Sequence, residues 1–121
     1  MNKFLYILLA ILTLSSCSEY QNAMKSDDVE FKTNVFNKQI EKKKYSKAIR
    51  LFELYASSYR GKPQAESAFF NYAKALYATK QYITAAYQFE SFASSYPKSA
   101  NAEEASFLAA ESYSKVSPIY S

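Results

Sequence analysis

Residues 82–97 read Tyr82-Ile83-Thr84-Ala85-Ala86-Tyr87-Gln88-Phe89-Glu90-Ser91-Phe92-Ala93-Ser94-Ser95-Tyr96-Pro97, and the chain has written much of this 37 positions earlier. Tyr45 falls on Tyr82, Ala48 on Ala85, Phe52 on Phe89, Glu53 on Glu90 and Tyr55 on Phe92. Ser57-Ser58-Tyr59 falls on Ser94-Ser95-Tyr96. The correspondence continues beyond the stretch, with Ala65-Glu66 on Ala102-Glu103, Ala68 on Ala105, Phe70 on Phe107 and Ala73 on Ala110. Two segments and the linker between them are duplicated together, so the repeat is a unit of structure. Inside it, Tyr82, Ala85, Phe89, Phe92 and Tyr96 step by three and four, one apolar stripe of a helix. Phe69, Tyr72, Ala73 and Leu76 make a second stripe, and the short polar link 78–81 between them predicts antiparallel neighbours.

Working outward, the spacing predicts five helices, over 27–43, 45–59, 63–79, 82–95 and 100–115. Pro97 closes the fourth; Gly61 and Pro63 separate the first hairpin from the next, with Pro63 suited to a first helical turn. The fifth helix carries Ala102, Ala105, Ala109 and Tyr113, a stripe that calls for a sixth. About three such repeats are needed for stability and a stack normally ends in a polar cap. Two and a half repeats are present, which leads us to expect truncation at the C-terminus.

Composition agrees with long helices. One Gly and three Pro among 121 residues supply few breaks, while 12 Tyr and 9 Phe supply bulky stacking groups. No His and a single Cys exclude a His/Cys zinc site, a Cys-His or Ser-His dyad and an internal disulfide. Neither Asp27-Asp28 nor Glu103-Glu104 makes an acid/base couple, because adjacent helical residues face different ways. No enzyme activity, cofactor or metal is therefore expected. The formal charge of +4 becomes +3 without Lys3, and much of the excess lies in Lys38, Lys42, Lys43, Lys44, Lys47 and Arg50. Such a run is ordinarily a solvated helix face; contact with acidic headgroups or an acidic partner is the sharper reading.

The first residues are of another kind. Lys3 precedes an apolar run from Phe4 to Leu14, too short for a span of ~20 residues and shaped like a secretory signal peptide. Leu14-Ser15-Ser16-Cys17 then resembles the lipobox of bacterial lipoproteins. That resemblance implies cleavage before Cys17, which becomes the acylated first residue. We accordingly divide the chain into a signal peptide (1–16), a lipidated polar tether (17–28) and a repeat domain (29–121). Ser18 in place of Asp favours the outer membrane of a Gram-negative bacterium, facing the periplasm, a compartment in which nucleic acid is not an expected partner.

Phe69, Tyr72, Ala73, Leu76, Tyr82, Ala85, Phe89 and Pro97 resemble the tetratricopeptide signature of large, large, small, large, then Tyr, small, large and Pro. The fold expected is thus all-α, a tetratricopeptide-type solenoid of antiparallel hairpins. Phe92 stands where that family has a small residue. Adding Ser16-Cys17-Ser18-Glu19-Tyr20, Tyr59-Arg60-Gly61, Tyr96-Pro97-Lys98-Ser99-Ala100 and Ser117-Pro118-Ile119-Tyr120-Ser121, the chain resembles the N-terminal part of the BamD-like lipoproteins of the outer-membrane β-barrel assembly machinery. The resemblance implies a non-catalytic scaffold that binds unfolded barrel precursors near an aromatic-ended signal. It also implies docking on a BamA-like barrel protein and other assembly subunits, which in that family falls to C-terminal repeats, so this chain is expected to hold the precursor-binding half and to lack most of the docking half.

In such a stack the first helix of each pair lines a groove. The residues expected to face it are Glu30, Thr33, Asn37 and Glu41, then Ser67, Phe70, Lys74 and Tyr77, then Glu104, Phe107, Glu111 and Lys115. Phe70, Tyr77 and Phe107 would form an aromatic floor with Lys74 beside it, suited to a peptide ending in an aromatic group and a carboxylate; the same aromatic residues would equally serve as core. Asn37 and Asn71 occupy the Asn places of a carboxylate-clamp repeat, but Thr33, Glu104 and Leu108 stand at its basic places, which disfavours that subtype. Two rival readings share the fold: an adaptor of envelope constriction or cell-wall machinery, and a glycan-binding lipoprotein of a sugar importer. The second lacks the Trp platforms it would use.

Overall fold

The duplicated segments fold alike. In a computed structural model describing residues 2–117, the side chains of residues 10–17 excepted, six helices follow one another. They are α1 (Asn2–Lys25), α2 (Val29–Glu41), α3 (Tyr45–Tyr59), α4 (Ala65–Ala78), α5 (Tyr82–Ser95) and α6 (Ala102–Val116). The chain is all-α, with α2–α3 and α4–α5 as successive antiparallel hairpins and α6 beginning a third. At the end of α2, Lys44 N–H donates to the Gln39 carbonyl (2.8 Å) and Lys43 N–H to that of Ile40 (3.0 Å). At the end of α4, Gln81 N–H donates to Leu76 (2.9 Å) and Lys80 N–H to Tyr77 (3.0 Å), the same pattern 37 residues on. This is the Schellman closure, which satisfies two of the carbonyls a helix end leaves open. It requires a left-handed residue, and here Lys43 (φ 59°) and Lys80 (φ 64°) supply it rather than glycine.

Burial follows the two stripes. Phe52 is the hub of the first hairpin, its ring 4.4 Å from Tyr72, 5.0 Å from Phe69 and 5.4 Å from both Phe36 and Tyr55 between centroids. Ala48, Ala73, Ala75 and Ala85 are fully buried, and their small size lets the helix axes approach. Across the α3–α4 contact the Tyr72 hydroxyl donates to Glu53 Oε2 at 3.0 Å.

Three expectations need correction. Helix α2 starts at Val29, not Asp27, because Asp28 caps it: Oδ1 accepts from the N–H groups of Glu30 (3.1 Å) and Phe31 (3.3 Å). The polar segment expected as a tether completes α1 as far as Lys25, and its Tyr20 and Ala23 are buried in the core. No Gly or Pro interrupts 18–25, and Tyr20, Ala23 and Met24 share one face that packs on α2 and α3. The stripe of α6 that called for a sixth helix is already covered by α5: Ala105 and Ala109 are buried, and the Tyr113 ring meets Tyr87 at 6.2 Å. The C-terminal Pro118 to Ser121 segment lies outside the described residues. Among those described, no helix is long and apolar enough to cross a membrane.

Candidate functional site

Helices α2, α4 and α6 line the inner face of the stack, where two open concavities adjoin. The first, of about 470 Å³, is bordered by Glu30, Thr33, Asn34 and Asn37 of α2, by Tyr59 and Lys62, and by Ser67 and Ala68 of α4. The second, of about 370 Å³, lies between α4 and α6: Asn71, Lys74, Tyr77 and Ala78 face Glu104 and Leu108, with Ile40, Tyr45 and Phe89 behind. The groove thus has a polar half and an aromatic half.

Of the candidate residues, Lys74 and Tyr77 line the second concavity. The Lys74 ammonium also lies 5.3 Å from the Phe70 ring centroid, a cation–π contact. Tyr77 is set between several partners: the Tyr82 ring at 5.5 Å, Lys115 at 5.9 Å from its centroid, and the Glu111 carboxylate beside its hydroxyl. Desolvation, then the Glu111 carboxylate, pushes the Tyr77 hydroxyl above its ordinary range, and Lys115 opposes this. Tyr77 therefore stays neutral, its hydroxyl beside the Glu111 carboxylate.

The two phenylalanines do not join that floor. Phe70 is only 5% exposed and packs between α4 and α5, its ring 5.1 Å from Phe92 and 6.1 Å from Phe89. Phe107 holds the same register on α6, borders neither concavity and is 65% exposed. The physical reason is crowding. A helix inside a stack is contacted from both sides, so α4 buries Ala65, Ala68, Phe70, Tyr72, Ala73, Ala75 and Leu76 around most of its circumference. The strip Ser67, Asn71, Lys74 and Ala78, with Tyr77 at its edge, opens to the groove, and the equivalents of the strip 37 residues on are Glu104, Leu108, Glu111 and Lys115. Asn71 and Leu108 thus replace the two phenylalanines as groove residues. The carboxylate-clamp comparison carried the signal for both, since all five positions it named (Thr33, Asn37, Asn71, Glu104 and Leu108) border the concavities.

The side chain of Cys17, the expected lipidation site, lies outside the described residues. The segment that follows it is fixed, because Glu19 Oε1 accepts from Lys38 Nζ at 2.8 Å and the Lys47 ammonium lies 5.3 Å from the Tyr20 ring centroid.

Comparison with known families gives two matches. The family model described as outer membrane lipoprotein (YfiO) matches residues 25–119, and that of the prokaryotic membrane lipoprotein lipid attachment site matches residues 1–18. No curated protein and no solved structure matches the chain.

Proposed function

Because the chain belongs to the YfiO family of outer membrane lipoproteins, we propose that it is a non-catalytic scaffold of the outer-membrane β-barrel assembly machinery. In this reading Cys17 carries the lipid, the groove receives unfolded barrel precursors, and the repeats dock a BamA-like barrel protein and other assembly subunits. The observation that carries the reading is the groove's aromatic half. An extended segment ending in an aromatic residue finds Tyr77 and Tyr45 for its ring and Lys74 for its carboxylate. The polar half, with Asn34, Asn37 and Ser67, offers partners for the extended backbone that precedes that end.

The test places a photo-crosslinker at Lys74 or Tyr77, with Leu54 on the outer face of α3 as control (53% exposed). Both groove positions should trap nascent barrel proteins, and Leu54 should not. Recovery of only cell-wall or constriction proteins from the groove would establish the adaptor reading instead.

A further inference from the structure

The stack has two ends of opposite character. The α2–α3 and α4–α5 turns lie at one end, and they hold Lys42, Lys43, Lys44, Lys47 and Lys80 against one carboxylate, Glu41. At the opposite end start α2, α4 and α6, whose first turns carry Glu30, Glu66 and the Glu103-Glu104 pair; with Asp27 and Asp28 these outnumber Lys25, Arg60, Lys62 and Lys98, so that end is mildly acidic. Helices α3 and α5, which start at the basic end, have no acidic residue in the first turn and no side-chain cap. Their exposed N–H groups and the positive ends of their dipoles add to the lysine charge there. Among the described residues no ion pair engages Lys43, Lys44 or Lys80. A shallow open concavity of about 320 Å³ runs between the two turns, bordered by Lys43, Lys44, Ser46, Lys47 and Thr79. Beside it, Ile83 is 54% exposed in the first turn of α5, and Val116 is 43% exposed where α6 returns to the same end.

The anchor emerges at this end. Helix α1 runs antiparallel to α2, with Glu19 opposite Lys38. Continuing that register by two residues sets Cys17 level with Ile40, at the lysine-bearing turn. Only Ser18 and Glu19 separate Cys17 from the buried Tyr20, three steps with a reach of at most about 10 Å. Acyl chains on Cys17 therefore hold the basic end, and not the acidic end, against the bilayer.

We propose that this end is a second membrane contact: Lys43, Lys44, Lys47 and Lys80 dock on anionic lipid headgroups, with Ile83 and Val116 at the interface. The consequence is orientation, since the stack then stands upright on the leaflet, its acidic end turned to the aqueous side and the aromatic half of the groove, which Ile40, Tyr45 and Ala78 border beside the turns, nearest the headgroups. Each lysine held at an anionic surface strengthens attachment roughly five-fold. The proposal needs the anchor at Cys17 and is indifferent to what the groove binds.

The chain has no Trp, so a single introduced Trp reports one place. Ser46→Trp and Ser58→Trp lie at opposite ends of α3, about 18 Å apart along the helix. The acylated protein is reconstituted in vesicles of phosphatidylcholine alone or with one-third phosphatidylglycerol, both carrying headgroup-level spin-labelled lipid. In the anionic vesicles Ser46→Trp should blue-shift and be quenched at least two-fold more than in neutral ones, while Ser58→Trp stays unquenched. Raising salt to about 0.5 M, where screening falls to a few ångströms, should abolish the difference while the anchor holds. Changing Lys43, Lys44, Lys47 and Lys80 together to Gln, with helix content checked by circular dichroism, should do the same; if that variant unfolds, the salt response of the parent decides. Equal quenching in both vesicle types, or quenching at Ser58 instead, overturns the proposal. Protection of Ser46→Trp by an acidic assembly subunit but not by anionic lipid overturns it equally, assigning the basic end to a protein.

Discussion

At the scale of single residues, the aromatic side chains carry the stability. Phe52 touches four rings from three helices, so its loss leaves a cavity that no neighbour can fill by local collapse. Phe52→Ala should cost about 3–5 kcal/mol in urea unfolding, enough to leave a small helical domain largely unfolded. Tyr72 gives a pH dependence. Burial first, then the hydrogen bond to Glu53 and the charge of that carboxylate, raise its hydroxyl far above the ordinary value of ~10. The folded state thus holds the proton more tightly than the unfolded chain. The stabilisation is intact below pH ~10 and is lost as the pH climbs from there towards the folded-state value. Urea midpoints should fall steeply between pH 9.5 and 11, and more gently in Tyr72→Phe, which at neutral pH loses only the bond itself, about 1 kcal/mol. Tyr55, raised mainly by burial, keeps part of the slope in the variant.

At the scale of helices, repeat equivalence in sequence is not equivalence in environment. Phe70 and Phe107 share a register, yet the first is covered by α5 and the second is 65% exposed. Phe70→Ala should therefore cost about 3–5 kcal/mol and Phe107→Ala within about 0.5 kcal/mol, read as shifts of the urea midpoint at constant slope. Equal costs at the two sites would show that α6 is covered in solution. This pair marks what the sequence could and could not disclose. The hairpins were legible because a 37-residue duplication repeats both the apolar stripes and the turns between them. Helical spacing puts Lys74 and Tyr77 beside a concavity, as the structure has them, but selects Phe70 where its neighbour Asn71 is the residue that borders it. A stripe identifies the buried side of a helix, whereas the narrow strip left open depends on packing from two sides. Lys43 and Lys80 were invisible as helix terminators because the usual signal is glycine. The helical course of 18–25 was hidden because two buried residues, Tyr20 and Ala23, fasten an otherwise polar segment.

At the scale of the whole molecule, the proposed lipid site and the lysine-bearing turns lie at one end of the stack, and the groove runs along its face. The lipid attachment site and the family match place the chain at a membrane through its N-terminus. With the lipid on Cys17, as proposed, the burial of Tyr20 and Ala23 would keep the joint to the stack short, whereas a long tether would leave the stack free to tumble. In the proposed reading a short joint confines the groove to a narrow layer beside the leaflet, which would raise its effective concentration for precursors arriving there. All of this depends on Cys17. Two or more acyl chains hold a protein where one is marginal, since each buried CH₂ contributes about 0.8 kcal/mol, and no set of surface lysines replaces that. Cys17→Ala should abolish metabolic labelling with palmitate and remove the protein from the outer-membrane fraction. Whatever remains bound through the basic end should wash off at about 0.5 M salt, because exposed charges more than a few ångströms apart are then screened. A variant that keeps its palmitate label, or that stays in the outer membrane through the salt wash, would show that the chain is held there by something other than a lipid on Cys17.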